Sequence, residues 1–170
     1  MGFDSSAYGP EIGAILALDG GGERLMPLAP KACSSEEARR ILKAGKAGDL
    51  FPRSKHPAAA LSGLFLYFSC LDEAHTTAQD VSTPEGSWWH GIMHRQEPDP
   101  ANAAYWFQRV GNHPILEILR QADPRYPGPL KFIDMCEAAR QNPGSSEELA
   151  AREIQRTEWQ LLFDWCARCD

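Results

Sequence analysis

From residue 34 onward, apolar residues recur three and four places apart between prolines, glycines and short polar residues, a pattern that predicts helices rather than strands. Ser34, with Glu37 three places later, reads as a capping box opening a helix to about Ala44, closed by Gly45 and Gly48. Pro57 suits the first turn of a second helix. Its Ala58, Ala59, Ala60, Leu64, Phe65, Leu66, Tyr67 and Phe68 leave no polar face, so it belongs at the centre of the core. Asp72 reads as the cap of a helix through about Gln79, and Pro84-Glu85 opens another that Pro98 closes. Asp99-Pro100 starts a helix ending at Gly111, and His113-Pro114 starts one to about Gln121. Residues 124–129 form a turn-rich linker, and helices near 129–140 and 146–166 follow. No run of alternating β-branched residues interrupts this series. The expected fold is therefore all-α, a single domain over residues 1–170 built as a bundle of about seven or eight short antiparallel helices.

The first thirty residues are expected to be irregular. Glu11 to Leu18 fits a short helix or a strand, and Asp19-Gly20-Gly21-Gly22 breaks whatever precedes it, because three glycines are entropically costly inside a regular element. The glycines are read as a structural turn and not as a phosphate loop, since no Gly-Lys-Ser/Thr follows them.

Composition narrows the function classes. With 170 residues, 43% of them apolar and 24% charged, the chain has the makeup of an ordinary globular domain. The net charge of -6 disfavours nucleic acid or an anionic membrane as main partner, because both select basic patches. The longest apolar stretch, residues 58–71, is interrupted by Ser62, Gly63 and Ser69 and is too short to span a bilayer. Asp4 and Glu11 stand where an export signal would carry positive charge, so a cytoplasmic location is expected. The five cysteines are odd in number and lack the rhythm of a disulfide scaffold, which predicts reduced thiols. Cys166 and Cys169 have CxxC spacing but lie at a helix C-terminus, where the dipole does not favour a reactive thiolate.

Candidate chemistry concentrates between His75 and Pro114, a stretch holding four of the five histidines. At about 100° per residue, His90, His94 and Glu97 fall within roughly 60° of one another on one helix. They edge the apolar face of Trp89, Ile92 and Met93. On the preceding helix His75 and Gln79 lie beside the apolar Leu71, Ala74, Ala78 and Val81. Antiparallel packing of the two apolar faces would bring His75, His90 and His94 across one groove.

Histidines four apart can bind one metal from a single helix face, as in the zinc-protease helix, but Gly91 stands where that motif has its glutamate. His75, Glu97 or His113 would supply the third ligand, and such a donor set suits zinc, iron, nickel or manganese. In this reading His75, His90 and His94 hold a divalent metal and Glu97 serves as third ligand or proton acceptor. Gln79, Arg95, Asn102, Tyr105, Arg109 and His113 would contact a small polar or anionic substrate of metal-assisted hydrolysis. A metal-free polar pocket for a carboxylate or phosphate uses the same arginines. The competing expectation is a non-catalytic interaction module whose His, Arg and Glu side chains form a structural network, with Arg95 and Arg109 paired to Glu97 and Asp99. Trp88, Trp89 and Trp106 read most simply as core.

The segment Trp89-His90-Gly91-Ile92-Met93-His94-Arg95-Gln96-Glu97-Pro98-Asp99, with Asn102-Ala103-Ala104-Tyr105-Trp106-Phe107-Gln108-Arg109-Val110-Gly111-Asn112-His113-Pro114, resembles a family of small helical bacterial and fungal proteins. Leu71 to His75 and Gln79 belong to the same pattern. The resemblance covers about a quarter of the chain; it implies a shared helical fold and carries no activity. Gln96 and Ala104 depart from it where more basic residues are expected. Asp99 to Val110 also resembles one helix of a tetratricopeptide-like repeat, but no second copy recurs at about 34 residues.

Overall fold

The computed structural model describes residues 2–168. Among them are ten α-helices, two 3-10 turns and no strand. The helices are α1 (Pro10–Ala17), α2 (Glu36–Ala44), α3 (Ala47–Leu50), α4 (Pro57–Tyr67), α5 (Leu71–Ala78), α6 (Pro84–Gln96), α7 (Pro100–Val110), α8 (Pro114–Ala122), α9 (Pro129–Arg140) and α10 (Ser146–Ala167). The all-α expectation holds. The helix count exceeds the expected seven or eight because α1 and the single turn α3 are too short to show a period in the sequence. No helix among the described residues is long and apolar enough to cross a membrane.

The punctuation acts largely as read. Thr83 Oγ1 accepts from Gly86 N (3.3 Å) at the start of α6, and Asp99 Oδ1 from Asn102 N (3.1 Å) at the start of α7. His113 Nδ1 accepts from Ile115 N (3.3 Å) at the start of α8, each cap being followed by proline at the first position. Two caps shift by a residue or more. Ser35, not Ser34, caps α2 by accepting from Ala38 N (3.1 Å), so Glu37 is not the reciprocal partner of a capping box. Cys70 occupies the N-cap of α5, and Asp72 sits within the first turn, where its charge favours the helix dipole.

One contiguous core runs through the bundle. α4, buried from Ala59 to Tyr67, packs against α5, α6 and α10, while α6 packs against α4, α5 and α7. Small residues set the spacing of these helices. A Cβ on Gly63 would lie 2.7 Å from the Trp89 ring, and one on Gly91 would lie 2.9 Å from the Phe107 ring. α6 and α7 therefore meet at a distance that only glycine at 91 permits.

The N-terminal segment is more ordered than expected. Residues 10–17 are helical, and the following chain lies along α10 with Met26 and Leu28 buried. Gln155 Nε2 donates to Met26 O (3.2 Å) and Gln160 Nε2 to Gly22 O (2.9 Å). The glycine turn wraps the Tyr67 hydroxyl, which accepts from Gly22 N (3.0 Å) and Arg24 N (3.1 Å) and donates to the Asp19 carbonyl. Gly20, Gly21 and Gly22 all have positive φ, which is why this turn needs them.

Candidate functional site

α5 and α6 pack side by side, and three side chains converge where they meet. His75 Nε2 donates to Glu97 Oε1 at 2.9 Å, and His94 Nδ1 lies 2.9 Å from Glu97 Oε2. The second contact lacks hydrogen-bond geometry, so the buried His94 Nδ1 has no hydrogen-bond partner among the described residues. One ligating atom from each of His75, His94 and Glu97 lies within 4.8 Å of the other two. The sequence reason is direct: His94 and Glu97 are three apart at the end of α6, and His75 projects from α5 beside them.

His90 adjoins this group without belonging to it. Its ring centroid lies 5.6 Å from that of His75 and 6.4 Å from that of His94. Its Nδ1 is 2.9 Å from the Gly86 carbonyl, which can only accept, so Nδ1 carries the proton. The ring stacks on Trp106 of α7 at 4.2 Å and 17°. Burial pushes its pKa below the ordinary value, keeping the imidazole neutral near pH 7. The three-histidine set read from the sequence thus becomes two histidines and Glu97.

The other expected site residues separate into three groups. Tyr105 and Arg109 are exposed on α7, where the Arg109 guanidinium lies 5.5 Å from the Trp106 ring, on the helix that carries the stack to His90. Asn102 is exposed and tied to Asp99, and Gln79 is exposed at the C-cap of α5. Arg95 leaves the site altogether. Arg95 and Glu158 are 1% and 0% exposed, with Arg95 Nη2 2.6 Å from Glu158 Oε2. The guanidinium lies 4.4 Å from the Phe132 ring, and Trp88 Nε1 donates to Glu158 Oε1 at 3.0 Å. Although burial opposes its charge, the Glu158 carboxylate holds Arg95 protonated. Arg95 is part of the core and unavailable to an anion.

His113 also leaves the group, and it reveals a cluster that sequence reading missed. Glu85 Oε1 lies 3.2 Å from His113 Nε2 and accepts from Trp165 Nε1 at 3.0 Å. Glu85 Oε2 is buried without a hydrogen bond, 3.9 Å from His56 Nδ1. The hydrogen bond from His113 brings the Glu85 carboxyl down to about 2. No local signal marks this set, because its members come from four separate stretches of chain.

Beside Glu97 opens a cleft of about 320 Å³, whose wall includes Asp72, Glu73, Arg39, Cys33 and Cys70. Cys33 and Cys70 form a disulfide with Cα atoms 4.6 Å apart, which corrects the expectation of five reduced thiols. The pairing joins residues 37 apart, a separation that gives no sequence signal. Cys136 and Cys166 are free and buried, and burial pushes both thiols up, away from reactivity. Cys169, the second half of the CxxC pair, lies outside the described residues.

Compared with family models, curated proteins and solved structures, the chain matches none of them.

Proposed function

We propose that His75, His94 and Glu97 bind a divalent metal between α5 and α6, with zinc, iron, nickel and manganese all suited to the donor set. The observation that carries this reading is the convergence of one ligating atom from each residue within 4.8 Å, beside a buried His94 Nδ1 that makes no hydrogen bond. In a tetrahedral site with bonds of about 2.0–2.2 Å, ligand atoms stand roughly 3.3 Å apart. Small side-chain rotations close the group onto an ion. Both imidazoles would bind as neutral ligands, and Glu97 would exchange its contacts with them for the metal. Three protein ligands leave a coordination position for water, whose acidification is the chemistry the ion supplies. Metal-assisted hydrolysis of a small polar or anionic substrate would follow, with the exposed Tyr105, Arg109, Asn102 and Gln79 on the neighbouring α7 and the end of α5 as candidate substrate contacts.

A second reading rests on a specific contact: Glu97 already accepts from His75, so the same residues brace α5 against α6 without an ion. Metal content of tag-free protein separates the two. Bound metal near one equivalent, or a rise in Tm on adding zinc that H75A/H94A abolishes, supports the site. A metal-free protein whose Tm no divalent ion raises, and which H75A/H94A destabilises in chelator, supports the brace.

A further inference from the structure

The cleft beside Glu97 has a second set of soft and acidic donors. Sulfur atoms of Cys33 and Cys70 and a carboxylate oxygen of Glu73 lie within 4.8 Å of one another. These donors share no residue with the histidine group, although α5 carries members of both.

Contacts other than the bond itself also hold the two cysteines beside each other. Ser34 N donates to Phe68 O at 2.7 Å, fastening the chain beside Cys33 to the turn that ends in Cys70. That turn is fixed in its own right: Ser69 takes a positive φ of 60°, and both terminal nitrogens of Arg24 lie 3.2 Å from its Oγ. Arg24 in turn is paired with Asp19 at 2.8 Å. Reduction would therefore leave two thiols side by side, close to a carboxylate and at the wall of an open cleft. Two thiolates and one carboxylate, with a fourth position open to water, form a donor set that favours zinc over harder ions. Arg39, ion-paired with Glu73, and Lys31 in the same wall offset the negative charge of such a ligand set.

We propose that Cys33, Cys70 and Glu73 form a redox-controlled zinc site, occupied in the dithiol state and emptied when the disulfide closes. The chemistry is thiol–disulfide exchange with a low-molecular-weight disulfide. One protein thiolate attacks that disulfide, forming a mixed disulfide and expelling one small thiolate. The other protein thiolate attacks the protein-bound sulfur of the mixed disulfide, forming the Cys33–Cys70 bond and expelling the second small thiolate. Two electrons pass from the protein to the external disulfide, and zinc, stripped of two ligands, leaves as a hydrated ion. A reducing compartment keeps the site in its zinc-binding form.

The test uses the full chain carrying H75A/H94A, so that the histidine group does not contribute. After reduction and removal of reductant, cobalt(II) is titrated as a spectroscopic stand-in for zinc. The expected result is uptake of about one equivalent with thiolate-to-cobalt charge-transfer bands. C33S or C70S should abolish those bands, and oxidised glutathione should discharge bound zinc to a chromogenic chelator. Absence of the bands, or their survival in C33S and C70S, overturns the proposal. Should the variants fail to fold, alkylation mapping on the reduced wild-type chain decides the question. Zinc should slow modification of Cys33 and Cys70 by at least about tenfold; equal rates with and without zinc overturn the proposal.

Discussion

Glu158→Gln removes one charge from a pair that has no access to water, since Arg95 and Glu158 are 1% and 0% exposed. The amide keeps the volume and an acceptor for the Trp88 indole, while its NH2 replaces the oxygen that accepts from Arg95 Nη2, so the substitution removes the charge together with that hydrogen bond. Arg95 would then hold a buried positive charge with no anionic partner among the described residues, against Gln155 Oε1 (3.3 Å) and the Phe132 and Phe107 rings. Breaking such a pair from one side costs about 3–5 kcal/mol. That is a large share of the roughly 5–15 kcal/mol that holds a domain folded. For a chain of this length it corresponds to a Tm lower by about 6–20 °C. Urea unfolding followed by far-ultraviolet circular dichroism measures the loss. Arg95→Met combined with Glu158→Leu removes both charges, and its loss should be smaller than the sum of the single losses by at least about 2 kcal/mol. A loss below about 1 kcal/mol in E158Q, or additive losses in the double variant, would refute the assignment of Arg95 to the core.

Three further outcomes follow from the geometry. Ser35→Ala should destabilise by about 1 kcal/mol in thermal unfolding while Ser34→Ala changes little, because only the Ser35 hydroxyl caps α2. Acid unfolding should report Glu85: its carboxyl titrates at about 2 in the folded chain against an ordinary 4.5, so its contribution is complete above pH 4.5 and lost as pH falls toward 2. The full difference corresponds to about 3 kcal/mol, of which roughly 1–2 kcal/mol should register with solvent reaching His56; E85Q should flatten stability across that window. Finally, if the metal reading holds, H94A should weaken zinc binding by at least about a hundredfold and H90A far less, measured by competition with a chromogenic chelator, since His90 stacks on Trp106 outside the group of converging ligand atoms.

The helices were legible because proline, glycine and cap residues act locally, and Pro84-Glu85, Asp99-Pro100 and His113-Pro114 each start the expected element. Ser34 and Ser35 are adjacent and chemically alike, so backbone geometry alone decides which one caps. The helix wheel placed His75, His94 and Glu97 at the margin of a buried face, and the structure brings them together there. It gave no means of separating His90 from them, because the stack on Trp106 depends on where α7 crosses. Arg95 illustrates the same limit: next to His94 in sequence, it lies about 100° further round α6 and meets Glu158, 63 residues away. The Glu85 cluster and the Cys33–Cys70 pair are likewise products of tertiary packing.

The glycine at position 91 also bears on what kind of catalyst this helix could become. With the Phe107 ring 2.9 Å from where its Cβ would be, even alanine forces that ring to shift, and a glutamate like that of the zinc-protease helix would have to displace it. Evolution or a designer seeking a proton acceptor for a metal-bound water would have to place it elsewhere than at position 91. The facing edge of α5, already the source of His75, is one such scaffold, since it packs against α6.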